Sequence, residues 1–172
     1  MRYGEQAERV DRHFVLQQGL PAPGPGACTV LAGALLFQPR VIGGIVIVLT
    51  VLQYAPGFLV LAGLLWWSAL LPRLNPFEAV YRIVTRRNPD AAALPLAAPP
   101  RRFAQTLAGT TAALIGFAIL QSQWIVAYAL EAFLLVALAA LSFGRFCFGS
   151  FAYYLLRGQV AFAIRTLPWG RG

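Results

Sequence analysis

Residues 41–72 read VIGGIVIVLTVLQYAPGFLVLAGLLWWSALLP, without one charged side chain. The run is broken once, at QYAPG (53–57), where proline and glycine favour a turn. Cut there, it becomes a hairpin of two apolar helices, 41–54 and 56–71. A second stretch, 103–144, has no basic residue and a single acid, Glu131, and QSQ (121–123) divides it into helices 103–120 and 124–143. Both of these are long enough to span a bilayer. The expected fold class is an all-α membrane protein with four transmembrane helices arranged as two repeated hairpins. The first pair is short, reaching about 21–24 Å at 1.5 Å per residue against a hydrocarbon core of about 30 Å.

Composition points the same way. The 172 residues are 59% hydrophobic and only 12% charged, with a mean hydropathy of +0.66, whereas roughly a quarter of an ordinary soluble domain is charged. The net charge of +8 suggests a nucleic-acid partner at first sight. The apolar content excludes that class, because a chain of this size has too little interior to hide so many large apolar side chains from water.

The placement of the charges gives an orientation. With turns at 53–57 and 121–123, all 14 arginines fall on one side: Arg2, Arg9, Arg12 and Arg40 before the first helix, Arg73, Arg82, Arg86, Arg87, Arg101 and Arg102 in the central loop, and Arg145, Arg157, Arg165 and Arg171 after the last. A turn at Gln38-Pro39-Arg40 instead would strand Arg40 on the opposite face. The positive-inside rule therefore puts both termini and the central loop in the cytoplasm. Arg73, Arg82, Arg86, Arg87, Arg101, Arg102, Arg145 and Arg157 are expected to contact anionic lipid headgroups. The chain divides into an N-terminal cytoplasmic or interfacial segment (1–40), a first hairpin (41–72), a cytoplasmic loop (73–102), a second hairpin (103–144) and an interfacial C-terminal segment (145–172). The apolar 27–37 either lies in the interface or continues into the first helix through Pro39. No short apolar core follows the polar MRYGEQAERVDRHF (1–14), so a cleaved signal peptide is not expected.

The two hairpins end alike. RLNPFEAVYR (73–82) and RFCFGSFAYYLLR (145–157) pair Arg73 with Arg145, Asn75 with Cys147, Glu78 with Ser150 and Tyr81 with Tyr153. In the first, Asn75 suits a helix N-cap, Pro76 the first helical position, and Glu78 the third position of a capping box and an i,i+4 pair with Arg82. Phe77, Val80 and Tyr81 make it an interfacial amphipathic helix that faces lipid and ends before Asn88-Pro89. DAAALPLAAPP (90–100) follows as a Pro/Ala linker. Trp169 suits an interface anchor.

Candidate chemistry is sparse. Cys28 and Cys147 are the only cysteines and His13 the only histidine, so a disulfide framework and a four-thiolate metal site are excluded, and no metal or cofactor is expected. Asp11, Arg12 and His13 have no catalytic spacing and read as a solvated helix start. Glu131 lies seven residues, about 10 Å, inside the outer end of its helix. An intramembrane carboxylate is costly, and with Thr50 and Gln53 at nearly the same depth it forms a candidate proton or cation site, the alternative being a hydrogen bond that fixes helix packing. Cys147, beside Arg145, is a candidate redox thiol or a small packing residue. Ala108, Ala112 and Gly116, four apart, form a close-packing stripe.

Taken in order, VDRHFVLQQG (10–19), FQPRVIG (37–43), WWSALLPRLNPFEAVYR (66–82), PPRRFAQTLAG (99–109) and GRFCFGSF (144–151) make the chain resemble the bacterial integral-membrane family known as domain of unknown function 4395. The resemblance implies a small multi-helix bacterial inner-membrane protein. It further implies thiol redox chemistry with a thioredoxin-like partner, since many relatives carry Cys-x-x-Cys where this chain has Cys147-Phe148-Gly149-Ser150. The serine at the second position departs from that pattern. The function expected from the sequence is a non-enzymatic accessory or scaffold subunit bound to other membrane subunits, with a Cys147 thiol partner or a Glu131 carrier as alternatives.

Overall fold

The computed structural model describes residues 2–21, 24, 26–86 and 94–169. Among them the chain is all-helical: α1 (Arg2–Gln17), α2 (Ala27–Leu52), α3 (Ala55–Leu70), a 3-10 turn (Pro72–Leu74), α4 (Pro76–Thr85), α5 (Pro99–Leu120), α6 (Trp124–Ser142), α7 (Phe148–Leu156) and α8 (Val160–Arg165). Arg87, Asn88-Pro89, Arg171 and the start of the 90–100 linker lie outside the described residues.

Both expected turns form. Gln53 adopts a left-handed conformation (φ 47°) that closes α2, and the Tyr54 N–H bonds back to Leu49. Ser122 does the same between α5 and α6 (φ 55°). The length of α2 differs from expectation: it is one helix from Ala27 to Leu52, with Pro39 inside it, so the apolar 27–37 stretch continues into the first helix. Pro39 supplies no N–H to the Leu35 carbonyl and leaves that turn of the ladder incomplete.

Four apolar helices thus form two hairpins, but three of them, α2, α5 and α6, are long and apolar enough to cross a membrane. The fourth, α3, has 16 residues and is about 24 Å long. Of the four expected spans, three thus have the length and composition for a crossing, and α3 is a shorter apolar helix.

The two hairpins pack through a shared apolar core in which Val46, Phe58, Leu65, Ile115 and Leu134 are buried. The closest seam is α3 against α5. A Cβ at Gly109 would lie 3.2 Å from the Ala62 carbonyl oxygen, and one at Gly116 would lie 3.2 Å from that of Ala55. Small residues let the two backbones approach. The working stripe therefore includes Gly109 beside Ala112 and Gly116, while Ala108 packs at its margin. Outward faces carry Ile47, Val51, Val60, Phe117, Ile125 and Val136, all exposed. Apolar surface on that scale favours lipid over water.

The remaining helices gather at the end of the bundle opposite the hairpin turns. α1 packs on α2 through Phe14 and Val15 against Ala32, Leu35 and Leu36. Asp11, expected to be solvated, is buried there and pairs with Arg145. Asn75 caps α4 as expected, its Oδ1 accepting the Phe77 N–H at 3.0 Å, with Pro76 in the first helical position. Phe77 and Tyr81 turn inward, Tyr81 stacking edge-on against Phe37, and the apolar side chains that face outward are Val80, Ile83 and Val84. The outward face of α4 is thus offset from the one expected, because α2 is long enough to offer Phe37 as a packing partner.

Candidate functional site at Cys147

Cys147 is the N-cap residue of α7 and is buried. Three local features place it there. Arg145 adopts φ 53°, a conformation unusual for a residue with a side chain, and its pairing with buried Asp11 of α1 holds the turn after α6. The Cys147 N–H donates to Gln17 Oε1 of α1 at 2.8 Å. Gly149 lets α7 settle on α5, since a Cβ there would lie 2.6 Å from Ala104 Cα. Around the turn, Phe146 packs against Phe148, Phe151 and Trp169, with ring centroids 5.5–6.0 Å apart.

The Ser150 hydroxyl donates to Cys147 Sγ at 3.3 Å. The sulfur therefore has a hydroxyl donor from the first turn of the nine-residue helix that Cys147 precedes. Negative charge that gathers on sulfur during an attack or a departure is favoured in such a place.

A polar chain runs beside the thiol. Arg101, in the first turn of α5, is buried; its Nη1 lies 3.3 Å from Glu78 Oε1, and its Nη2 donates to Gln38 Oε1 at 2.9 Å. Gln105, four residues on and so on the same helix face, donates to the same Gln38 oxygen at 3.1 Å. Glu78 also accepts from Asn75 Nδ2 at 3.3 Å. Burial holds the Glu78 carboxyl above the usual carboxylate range, although Arg101, Asn75 and Arg82 pull it down. Cys147, Arg101, Gln38, Gln105 and Gln18 line one cavity of about 80 Å³.

The arginines expected at the headgroups divide. Arg73, Arg82, Arg86 and Arg157 are exposed, Arg157 lying over the Tyr153 ring at 5.2 Å. Arg102 is partly buried and donates to the Ala69 carbonyl at 2.6 Å. Arg101 and Arg145 turn into the protein, each toward a carboxylate that the fold brings to it, and are not free rim charges. At the hairpin-turn end, Glu131 is buried and both its oxygens accept from Gln53 Nε2, at 3.2 and 3.1 Å. The same amide nitrogen donates to the Thr50 carbonyl at 2.7 Å. Thr50, Gln53 and Glu131 are thus brought together, far from Cys147. Cys28 and Cys147 are both buried, and neither is in a disulfide.

A family model described as Domain of unknown function (DUF4395) matches residues 30–158. The chain belongs to this family. The DUF4395 match runs from α2 through α7 and takes in Cys147, Arg101, Gln38, Gln105 and Glu131, whereas Asp11, Gln17 and Gln18 of the α1 region lie outside it. No curated protein and no solved structure matches the chain.

Sequence reasoning missed Gln17, Gln18, Gln38 and Gln105. The available signal was a glutamine beside a helix-internal proline and another four residues after an arginine, each in otherwise apolar surroundings.

Proposed function

We propose that this protein is a thiol-exchange partner of the bacterial cytoplasmic membrane, working through Cys147. The observation that carries the proposal is the thiol beside a cavity, at a helix N-terminus, with the Ser150 hydroxyl 3.3 Å from its sulfur. In the exchange, the Cys147 sulfur attacks one sulfur of a disulfide. A new S–S bond forms as the old one breaks, and the departing sulfur leaves as a thiolate. Ser150 stands where a second cysteine would resolve the adduct, so an external thiol must release Cys147. A thioredoxin-like protein fits both the disulfide donor and the resolving thiol. In this proposal α3 is a fourth, short crossing, both termini face the cytoplasm, and Arg73, Arg82, Arg86 and Arg157 meet anionic headgroups.

A scaffold or accessory subunit of a larger assembly accounts for the outward apolar faces. It gives no use to a thiol set at a helix N-terminus beside a cavity, and the thiol role is preferred for that reason. The test is mixed-disulfide trapping in detergent with a thioredoxin-like protein whose resolving cysteine is removed. The intact chain and a Cys28→Ser variant should form the adduct and Cys147→Ala should not. No adduct with the intact chain overturns the proposal, and stable co-purifying membrane subunits in its place would favour the scaffold.

A second role, a proton or small-cation site, is supported by the Glu131–Gln53 contact, whose amide also donates to the Thr50 carbonyl. Flux into proteoliposomes that survives Glu131→Gln unchanged would remove it.

A further inference from the structure

Cys147 lies between two adjoining cavities of about 80 Å³ each. The first is mainly apolar but also lined by Gln18, Gln38, Arg101 and Gln105 of the polar chain described above. The second lies between α5, α6 and α7, and its lining includes Leu107, Phe133 and Phe148, all exposed on the apolar outer face. The two share Ala104, Ala108, Leu138 and Leu141 as well as Cys147. The thiol therefore adjoins an apolar crevice that reaches the outer face and, beside it, a chamber into which three glutamines are set.

The hydrogen-bond accounting of that chamber is unbalanced. Gln38 Oε1 receives both Arg101 and Gln105. Gln38 Nε2, Gln18 Nε2 and Gln105 Oε1 have no partner in the protein, although Gln38 and Gln18 are 5% exposed and Gln105 7%. A buried donor or acceptor left without a partner is costly. The chamber thus offers two amide donors and one acceptor, together with Arg101 Nη1, which makes no hydrogen bond but is ion-paired with Glu78 Oε1 at 3.3 Å. Its occupant is an uncharged group that both donates and accepts. It is small as well, because the volume is about half of the roughly 150 Å³ that accommodates benzene. An apolar remainder would lie in the side crevice.

A hydroperoxide group meets all of these requirements and reacts with thiols. We propose that Cys147 and the glutamine chamber form a site for hydroperoxides on apolar chains, such as oxidised lipid acyl groups, with the O–OH between Gln38 and Gln105 and the tail in the α5–α6–α7 crevice. The sulfur attacks the terminal oxygen; an S–O bond forms as the O–O bond breaks. Cys147 is oxidised by two electrons to a sulfenic acid, and the hydroperoxide is reduced to an alcohol whose oxygen takes up the thiol proton. An external thiol then condenses with the sulfenic acid, releasing water and leaving a mixed disulfide on Cys147. This step rests on the proposal that Cys147 is a working thiol and supplies its oxidant by class.

The experiment uses the full chain with Cys28→Ser in lipid nanodiscs. Cumene hydroperoxide, hydrogen peroxide and an aromatic disulfide are applied separately. Sulfenic acid is read by capture with a cyclic diketone and by intact mass, with every rate expressed relative to free cysteine. Cumene hydroperoxide should oxidise Cys147 faster than free cysteine and with a larger advantage than hydrogen peroxide. Gln18→Leu and Gln105→Leu should each slow that reaction by about tenfold, the loss of one hydrogen bond, while the aromatic disulfide reacts as before. That last arm also shows that the variants are folded.

If Cys147 takes the disulfide but no hydroperoxide reacts faster than with free cysteine, the hydroperoxide site is overturned and thiol exchange stands. If neither reagent modifies Cys147, both fall. Equal advantages for the two peroxides overturn the lipid source, and unchanged rates in both glutamine variants overturn the chamber's role.

Discussion

The backbone N–H of Cys147 donates to the side chain of Gln17 at 2.8 Å, across 130 residues of chain. The N-terminal helix thereby sets the position of the thiol. Gln17→Met should leave that N–H buried without an acceptor and cost about 1–3 kcal/mol. Thermal unfolding in detergent measures the loss, and alkylation of Cys147 should quicken in the same variant as α1 loosens. A rate of alkylation equal to the parent's would separate α1 from the site.

Gly149 is the contact on which α7 docks. Gly149→Ala drives a methyl group into the backbone of Ala104, and overpacking of this kind costs about 1–3 kcal/mol. Gly63→Ala is the control: it meets nothing within 4 Å on α3 and should be neutral or stabilising, since alanine favours the helix by up to about 1 kcal/mol. Equal melting shifts for the two would contradict the docking contact.

At the hairpin-turn end, Gln53→Leu removes the donor to a buried carboxyl group and should cost about 1–3 kcal/mol, the range for a buried group left unmet. The same substitution in a Glu131→Gln background should cost less, because glutamine keeps one of the two acceptor oxygens. A double-mutant cycle on thermal stability reads the difference, and strict additivity would mean that the two side chains do not interact.

Glu78 gives the protein a defined pH dependence. Its folded-state value lies above the ordinary 4.5, because burial outweighs the pull of Arg101. Between 4.5 and that raised value the folded state binds more protons than the unfolded one, so stability falls as pH rises through this window and levels off above it. Glu78→Gln should flatten the slope. Melting temperatures collected from pH 4 to 8 test the sign, and a rise through the window would reverse it.

Much of the bundle was legible in the amino acids because the causes are local. The apolar runs, the turns at Gln53 and Ser122, and the Asn75 cap each depend on neighbours a few positions away. The extent of α2 was not legible, because a helix can continue through Pro39 when apolar contacts on both sides compensate for one missing hydrogen bond. Arg101 and Arg145 were equally opaque. An arginine at the end of an apolar run reads as a rim charge, and only a carboxylate brought from elsewhere in the chain turns it inward.

By itself, then, the sequence determined an all-helical chain with helices apolar enough to cross a membrane, and membership of the DUF4395 family. The tertiary structure alone decided the site: Gln17 from α1, Gln38 from α2, Arg101 and Gln105 from α5, and Cys147 from the turn before α7 meet around one chamber. Helix formation is set by nearest neighbours along the chain. A cavity is set by which helix faces meet, and that depends on packing between residues as distant as 17 and 147.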